Sequence, residues 1–117
     1  MAPRAKQPPP LTDGALSLVA GRFRALGDPS RLRILRRLMG GERSVQDLLG
    51  DTGLSQTNLS RQLGVLRREA ILERRADGNR ALYRICDPTM VEVCDLVCGA
   101  LADRLAEDLE GFEGAGI

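Results

Sequence analysis

Residues 54–85, LSQTNLSRQLGVLRREAILERRADGNRALYRI, decide how this chain folds. Ser55 has the short polar side chain that satisfies free amides at a helix start. From there Leu59, Leu63 and Leu66 recur at spacings of four and three, which predicts a helix of about four turns with one apolar stripe. Its outward face opens with Gln56, Thr57, Asn58 and Arg61. Two β-prone stretches then flank Asp77-Gly78-Asn79, a hairpin turn signal, with Arg74, Arg75, Arg80 and Arg84 along them.

Working upstream, SVQDLLGDTG (44–53) starts with Ser44 and carries Asp47 three residues on, a capping-box-like start for a short helix ending by Gly53. Two short helices joined by a Gly-containing turn form a helix-turn-helix, whose second helix offers its N-terminal polar residues to the DNA major groove. Arg reads guanine edges, Asn and Gln read adenine, and Ser or Thr donates to phosphate. The candidate DNA contacts are therefore Ser55, Gln56, Thr57, Asn58, Ser60 and Arg61 on the helix. Arg74, Arg75 and Arg80 on the hairpin would grip the backbone or minor groove. A polar helix turned to solvent would show similar letters, but a basic hairpin directly after it has the character of a wing.

GDPSRLRILRRLMGG (27–41) predicts a helix with Asp28 as N-cap, Pro29 at the first helical position and Gly40-Gly41 as its stop. Before it, Leu16, Val19, Ala20, Phe23 and Leu26 form one stripe of a helix running from Ala15 to Gly27. Residues 1–10, with four prolines and two basic residues, are expected to be a disordered basic arm. The domain proper is expected over 11–110. Its last helix, about 88–110, carries Met90, Val93, Cys94, Val97, Cys98, Leu101, Leu105 and Leu109 three and four apart, with 111–117 a flexible tail. That seam is too long for one small domain to cover, so a homodimer is expected. Two such domains about a two-fold axis would read a palindromic operator in double-stranded DNA. The fold class expected is mainly α with a β-hairpin wing, a winged helix-turn-helix dimerising through its terminal helices.

Charge agrees with that division of labour. The net charge of +1 over 117 residues hides about +8 in residues 1–85 and −7 in 86–117. A basic body with an acidic last segment suits binding to a polyanion on one side and something else on the other. No window approaches the ~18 apolar residues of a membrane span, and the first ten residues lack the apolar core of a secretory signal, so no membrane partner and a cytoplasmic location are expected. Three cysteines in such a chain argue for reduced thiols rather than a disulfide framework. The complete absence of histidine removes imidazole-based catalysis and imidazole-ligated zinc together, and an enzyme is not expected.

Taken together, LGDPSRLRIL (26–35), LSQTNLSRQLGVLR (54–67) and RRADGNRALYRI (74–85) resemble the ArsR/SmtB family of metal- and redox-responsive winged helix-turn-helix repressors. The resemblance covers roughly residues 15–110. It implies a homodimer that represses its own operon and leaves the operator when an inducer binds. The family's inducer sites are only partly matched. ERSVQDL (42–48) has Ser44 and Gln46 where arsenic-type members place cysteines, zinc-type histidines are absent, and Arg36 stands where the persulfide-sensing branch has its second-helix thiol. Gly64, inside a helix, and Ala70, where relatives often have a helix-ending glycine, are further departures.

Cys94 and Cys98 are i and i+4, so their Cβ atoms share one helix face about 5–6 Å apart. Thiolates suit soft ions, and As(III) or Sb(III) is the inducer expected, with no cofactor required; Cd(II) and Pb(II) are of the same class. Cys86, close to Pro88, would join as a third metal ligand only through loop folding or from a second protomer. An intrahelical disulfide is disfavoured, because the Cβ separation exceeds the ~3.8 Å typical of disulfides. The competing readings are a redox or persulfide switch at Cys94 and Cys98, and thiols that merely pack in the seam. A reading from another class is a winged-helix protein-interaction module that binds no DNA.

Overall fold

The computed structural model describes residues 10–114. Its elements follow the order α1 (Asp13–Leu26), α2 (Pro29–Leu38), β1 (Arg43–Ser44), α3 (Val45–Thr52), α4 (Gln56–Arg68), β2 (Leu72–Asp77), β3 (Arg80–Ile85) and α5 (Pro88–Gly114). The helix starts obey local chemistry. Asp28 Oδ1 accepts from the amides of Ser30 and Arg31, with Pro29 at the first helical position. Ser44 and Asp47 form the reciprocal capping box, and Ser55 caps α4 through Asn58 N at 3.1 Å. Helix α1 begins two residues before Ala15, because Thr12 supplies the cap.

β1, which has no sequence signal of its own, adds a third strand. The sheet order is β1-β3-β2, all antiparallel, with Arg43 opposite Tyr83 and Arg74 also opposite Tyr83 on the other side. The core lies between α2, α3, α4 and this sheet, where Ile34, Leu48, Leu59, Leu66 and Ile71 are fully buried.

The terminal helices contribute little to that core. From α1 only Ala25 and Leu26 are buried, while Phe23 keeps 55% of its surface. From α5, Met90 is buried and Val93 and Cys94 pack against the core, but Leu101 and Leu105 keep 54% and 58%. α5 continues to Gly114, four residues beyond the expected boundary at 110, which shortens the expected tail. Residues 1–9 of the expected arm and 115–117 of the expected tail lie outside the described residues. The radius of gyration, 17.8 Å, exceeds the ~13 Å of a compact domain of this length, because a 27-residue helix about 40 Å long extends from it.

Candidate nucleic-acid interface

The turn between α3 and α4 is set by Gly53, at φ +71°, and by Thr52, whose Oγ1 donates to Leu48 O at 2.6 Å and accepts from Leu54 N. A left-handed residue there reverses the chain within three residues, and glycine adopts it without a Cβ clash. Helix α4 is then held by Leu59, Leu63 and Leu66, leaving Ser55, Gln56, Thr57, Ser60 and Arg61 exposed at and after its N-terminus.

Asn58 sits differently from these. It is half-buried, and its Oδ1 accepts from Gln62 Nε2 at 3.0 Å. Gln62, 7% exposed, in turn accepts through Oε1 from Arg31 Nη1 at 2.7 Å. The leucine spacing alone marks only apolar residues as inward. Gln62 lies on the same stripe, three residues after Leu59, and that spacing is the signal by which the sequence shows it.

On the wing, Gly78 at φ +63° forms the turn. Three of its arginines are held by carboxylates of the same chain. Arg75 makes a two-pronged pair with Glu42, both bonds at 2.8 Å, Arg80 meets Asp77 at 3.4 Å, and Arg84 pairs with Glu73. The Arg75 guanidinium holds the Glu42 carboxyl below its ordinary range, and Glu42 raises Arg75 in return. Arg74 is exposed and has no ion pair among the described residues. All these pairs are substantially exposed, so phosphate can displace them at small cost.

The cysteines divide into two groups. Cys94 and Cys98 line one small cavity of about 20 Å³ between α2 and α5, with Val91 and Asp95 from their own helix and Leu32, Leu35, Arg36 and Met39 from α2 and its C-cap. Burial pushes the Cys94 thiol up, with Cys98 and Asp95 adding to the effect. Cys86 lies elsewhere, its Sγ donating to Ala70 O at 3.3 Å and its amide to Ile71 O. Burial and the neighbouring Glu73 and Asp87 raise its thiol too. Among the described residues no three His, Cys, Asp or Glu side chains converge as one ligand set, so within one chain Cys86 does not complete a site with the other two. No helix among the described residues is long and apolar enough to cross a membrane.

Comparison with known proteins supports this geometry. Residues 28–74 match the family described as bacterial regulatory protein, arsR family. The HTH-type transcriptional regulator Rv0081 of Mycobacterium tuberculosis is 43% identical over 99 residues, covering 79% of this chain and 87% of the relative. Its crystal structure superposes with a TM-score of 0.73 at 39% identity, over 84% of this chain and 99% of that one. The homodimeric winged helix-turn-helix DNA-binding domain Mb0332 of Mycobacterium bovis, a possible ArsR-family regulator, gives a TM-score of 0.74 at 30% identity, over 92% and 95%. The AntR antimony-specific transcriptional repressor gives 0.76 at 27% identity, over 91% and 96%.

Proposed function

The chain belongs to the ArsR family of bacterial regulatory proteins, and from that premise we propose that it represses transcription as a homodimer on a palindromic operator and is released by a thiophilic ion. It is a winged helix-turn-helix transcriptional repressor and not an enzyme. The observation that carries the DNA reading is the arrangement of α4. A buried leucine stripe leaves Gln56, Thr57, Ser60 and Arg61 exposed together, with a wing beside them whose Arg74 is free among the described residues to reach phosphate.

Dimerisation is supported by the uncovered stripes of α1 and α5. Leu16, Val19 and Phe23 on one and Val97, Leu101, Leu105 and Leu109 on the other are exposed in a single chain. An apolar surface of that extent is normally an interface, and the homodimeric Mb0332 domain has the same fold.

For the inducer, Cys94 and Cys98 share a cavity of about 20 Å³, room for one large atom. Two thiols on one wall suit As(III) or Sb(III), and the likeness to an antimony-specific repressor supports that class. Met39 and Asp95 also line that cavity, but the described residues of one chain add no third thiol to it, so a third thiolate would come from the second protomer. Binding at this seam would alter how α2 and α5 pack and so the spacing of the two recognition helices. A coupling of about 1–3 kcal/mol suffices for a useful switch.

The test is release of the reduced protein from its upstream DNA on titration with As(III) or Sb(III), beside the double variant Cys94→Ser/Cys98→Ser. Release in the wild type alone is expected. Binding unaffected by either ion in both proteins would contradict the metalloid reading and favour a redox or persulfide signal, recognised by a change in covalent mass.

A further inference from the structure

Arg31 leaves the first turn of α2 and places its guanidinium against three acceptors. Nε donates to Ala25 O at 2.6 Å, Nη2 to Arg24 O at 3.0 Å and Nη1 to Gln62 Oε1 at 2.7 Å. A guanidinium has five N–H donors and no acceptor, so the Gln62 atom that faces it must be the amide oxygen. That choice turns Gln62 Nε2, a donor, toward Asn58 at 3.0 Å, and a donor requires the Asn58 oxygen rather than its nitrogen. The polarity imposed by Arg31 therefore passes through a nearly buried glutamine to a residue on the recognition helix.

Asn58 Nδ2 is the group left over. It has no hydrogen-bond partner among the described residues, and no side-chain nitrogen or oxygen among them is both enclosed and unpartnered. Nδ2 is therefore open to solvent, near the exposed N-terminal end of α4.

We propose that Arg31, acting through Gln62, is a positioning residue that fixes the amide of Asn58 so that it offers the operator a donor and reads an acceptor on a base edge. This rests on the repressor reading above. In the major groove those acceptors are guanine N7 and O6, adenine N7 and thymine O4. The paired contact of asparagine with adenine, expected from residue type alone, also needs the amide oxygen, which here is turned inward to Gln62.

The experiment is fluorescence anisotropy on a panel of operator duplexes, each with one base pair replaced, using the wild type, Asn58→Ala, Gln62→Glu and Arg31→Lys. The wild type is expected to show a preference of about fivefold at one pair, the worth of one hydrogen bond, and Asn58→Ala to lose it. In Gln62→Glu one carboxylate oxygen accepts from Arg31 and the other faces Asn58. The asparagine must then turn Nδ2 inward and Oδ1 outward, so the preference at that same pair should invert toward adenine N6 or cytosine N4. Arg31→Lys keeps a donor in place and should keep the wild-type preference. A Gln62→Glu profile identical to the wild type, or an Asn58→Ala profile with no pair altered, overturns the relay while leaving sequence-specific binding intact. A wild type with no preference at any pair overturns the repressor reading and the relay with it. Side-chain amide exchange by NMR in the free wild type gives a measurement independent of any variant's folding. Slow exchange at Gln62 Nε2 and fast exchange at Asn58 Nδ2 are expected, and the reverse order overturns the proposal.

Discussion

Ala70 has φ +58°, the left-handed conformation in which a Cβ is disfavoured, and the bonds around it explain why. Ile71 N donates to Leu66 O and Ala70 N to Arg67 O, the paired bonds that end a helix through a left-handed residue. Cys86 holds the same corner from the other side, through Ala70 O and Ile71 O. Ala70→Gly is therefore expected to raise stability by about 1 kcal/mol. Gly64→Ala should add a similar amount, because a Cβ there meets only the flexible end of Arg68 at 3.5 Å. Chemical denaturation of the two variants checks both, and a loss of stability in either contradicts the local reading. Both departures are visible in the sequence, but only the backbone angle and the space at each position show that one strains the chain and the other merely loosens a helix.

At the scale of the element, α2, α3, α4 and the hairpin are legible in the sequence because each has its own cap, period or turn residue. β1 is not, since two residues carry no alternation and Arg43–Ser44 are strand only because β3 lies beside them. The wing's charge is legible but its state is not. Residue type places Arg75 and Arg80 on DNA, whereas in the free chain both face carboxylates, one of them from Glu42, 33 residues away in sequence. Glu42→Gln should release Arg75 to the phosphate backbone. DNA affinity should rise, and the slope of log K against log salt should steepen by about 0.9 for each further phosphate neutralised. An unchanged slope at unchanged stability would show that Arg75 does not face DNA.

For the whole molecule, the two terminal helices are legible as amphipathic stripes, and a single chain leaves those stripes open. Leu101→Asp with Leu105→Asp places two charges on the α5 stripe and none in the core of one chain. The proposed dimer should dissociate, read as a halved mass by analytical ultracentrifugation, while the helix-turn-helix stays folded. A double variant that keeps the wild-type mass would contradict dimerisation through α5. The proposed inducer site is less legible at any scale, because Cys94 and Cys98 sit on the apolar stripe and packing alone would also place them there. The acidic last segment and basic body nevertheless agree with the proposal that turns α4 and the wing toward DNA and α5 toward a second protomer. The most direct measurement is the binding stoichiometry and salt-dependent affinity of the reduced protein on its own upstream DNA against a scrambled duplex of equal length. One dimer per site, with affinity for the upstream DNA at least about a thousandfold higher, is the predicted result. Equal affinity for the two duplexes would contradict the account.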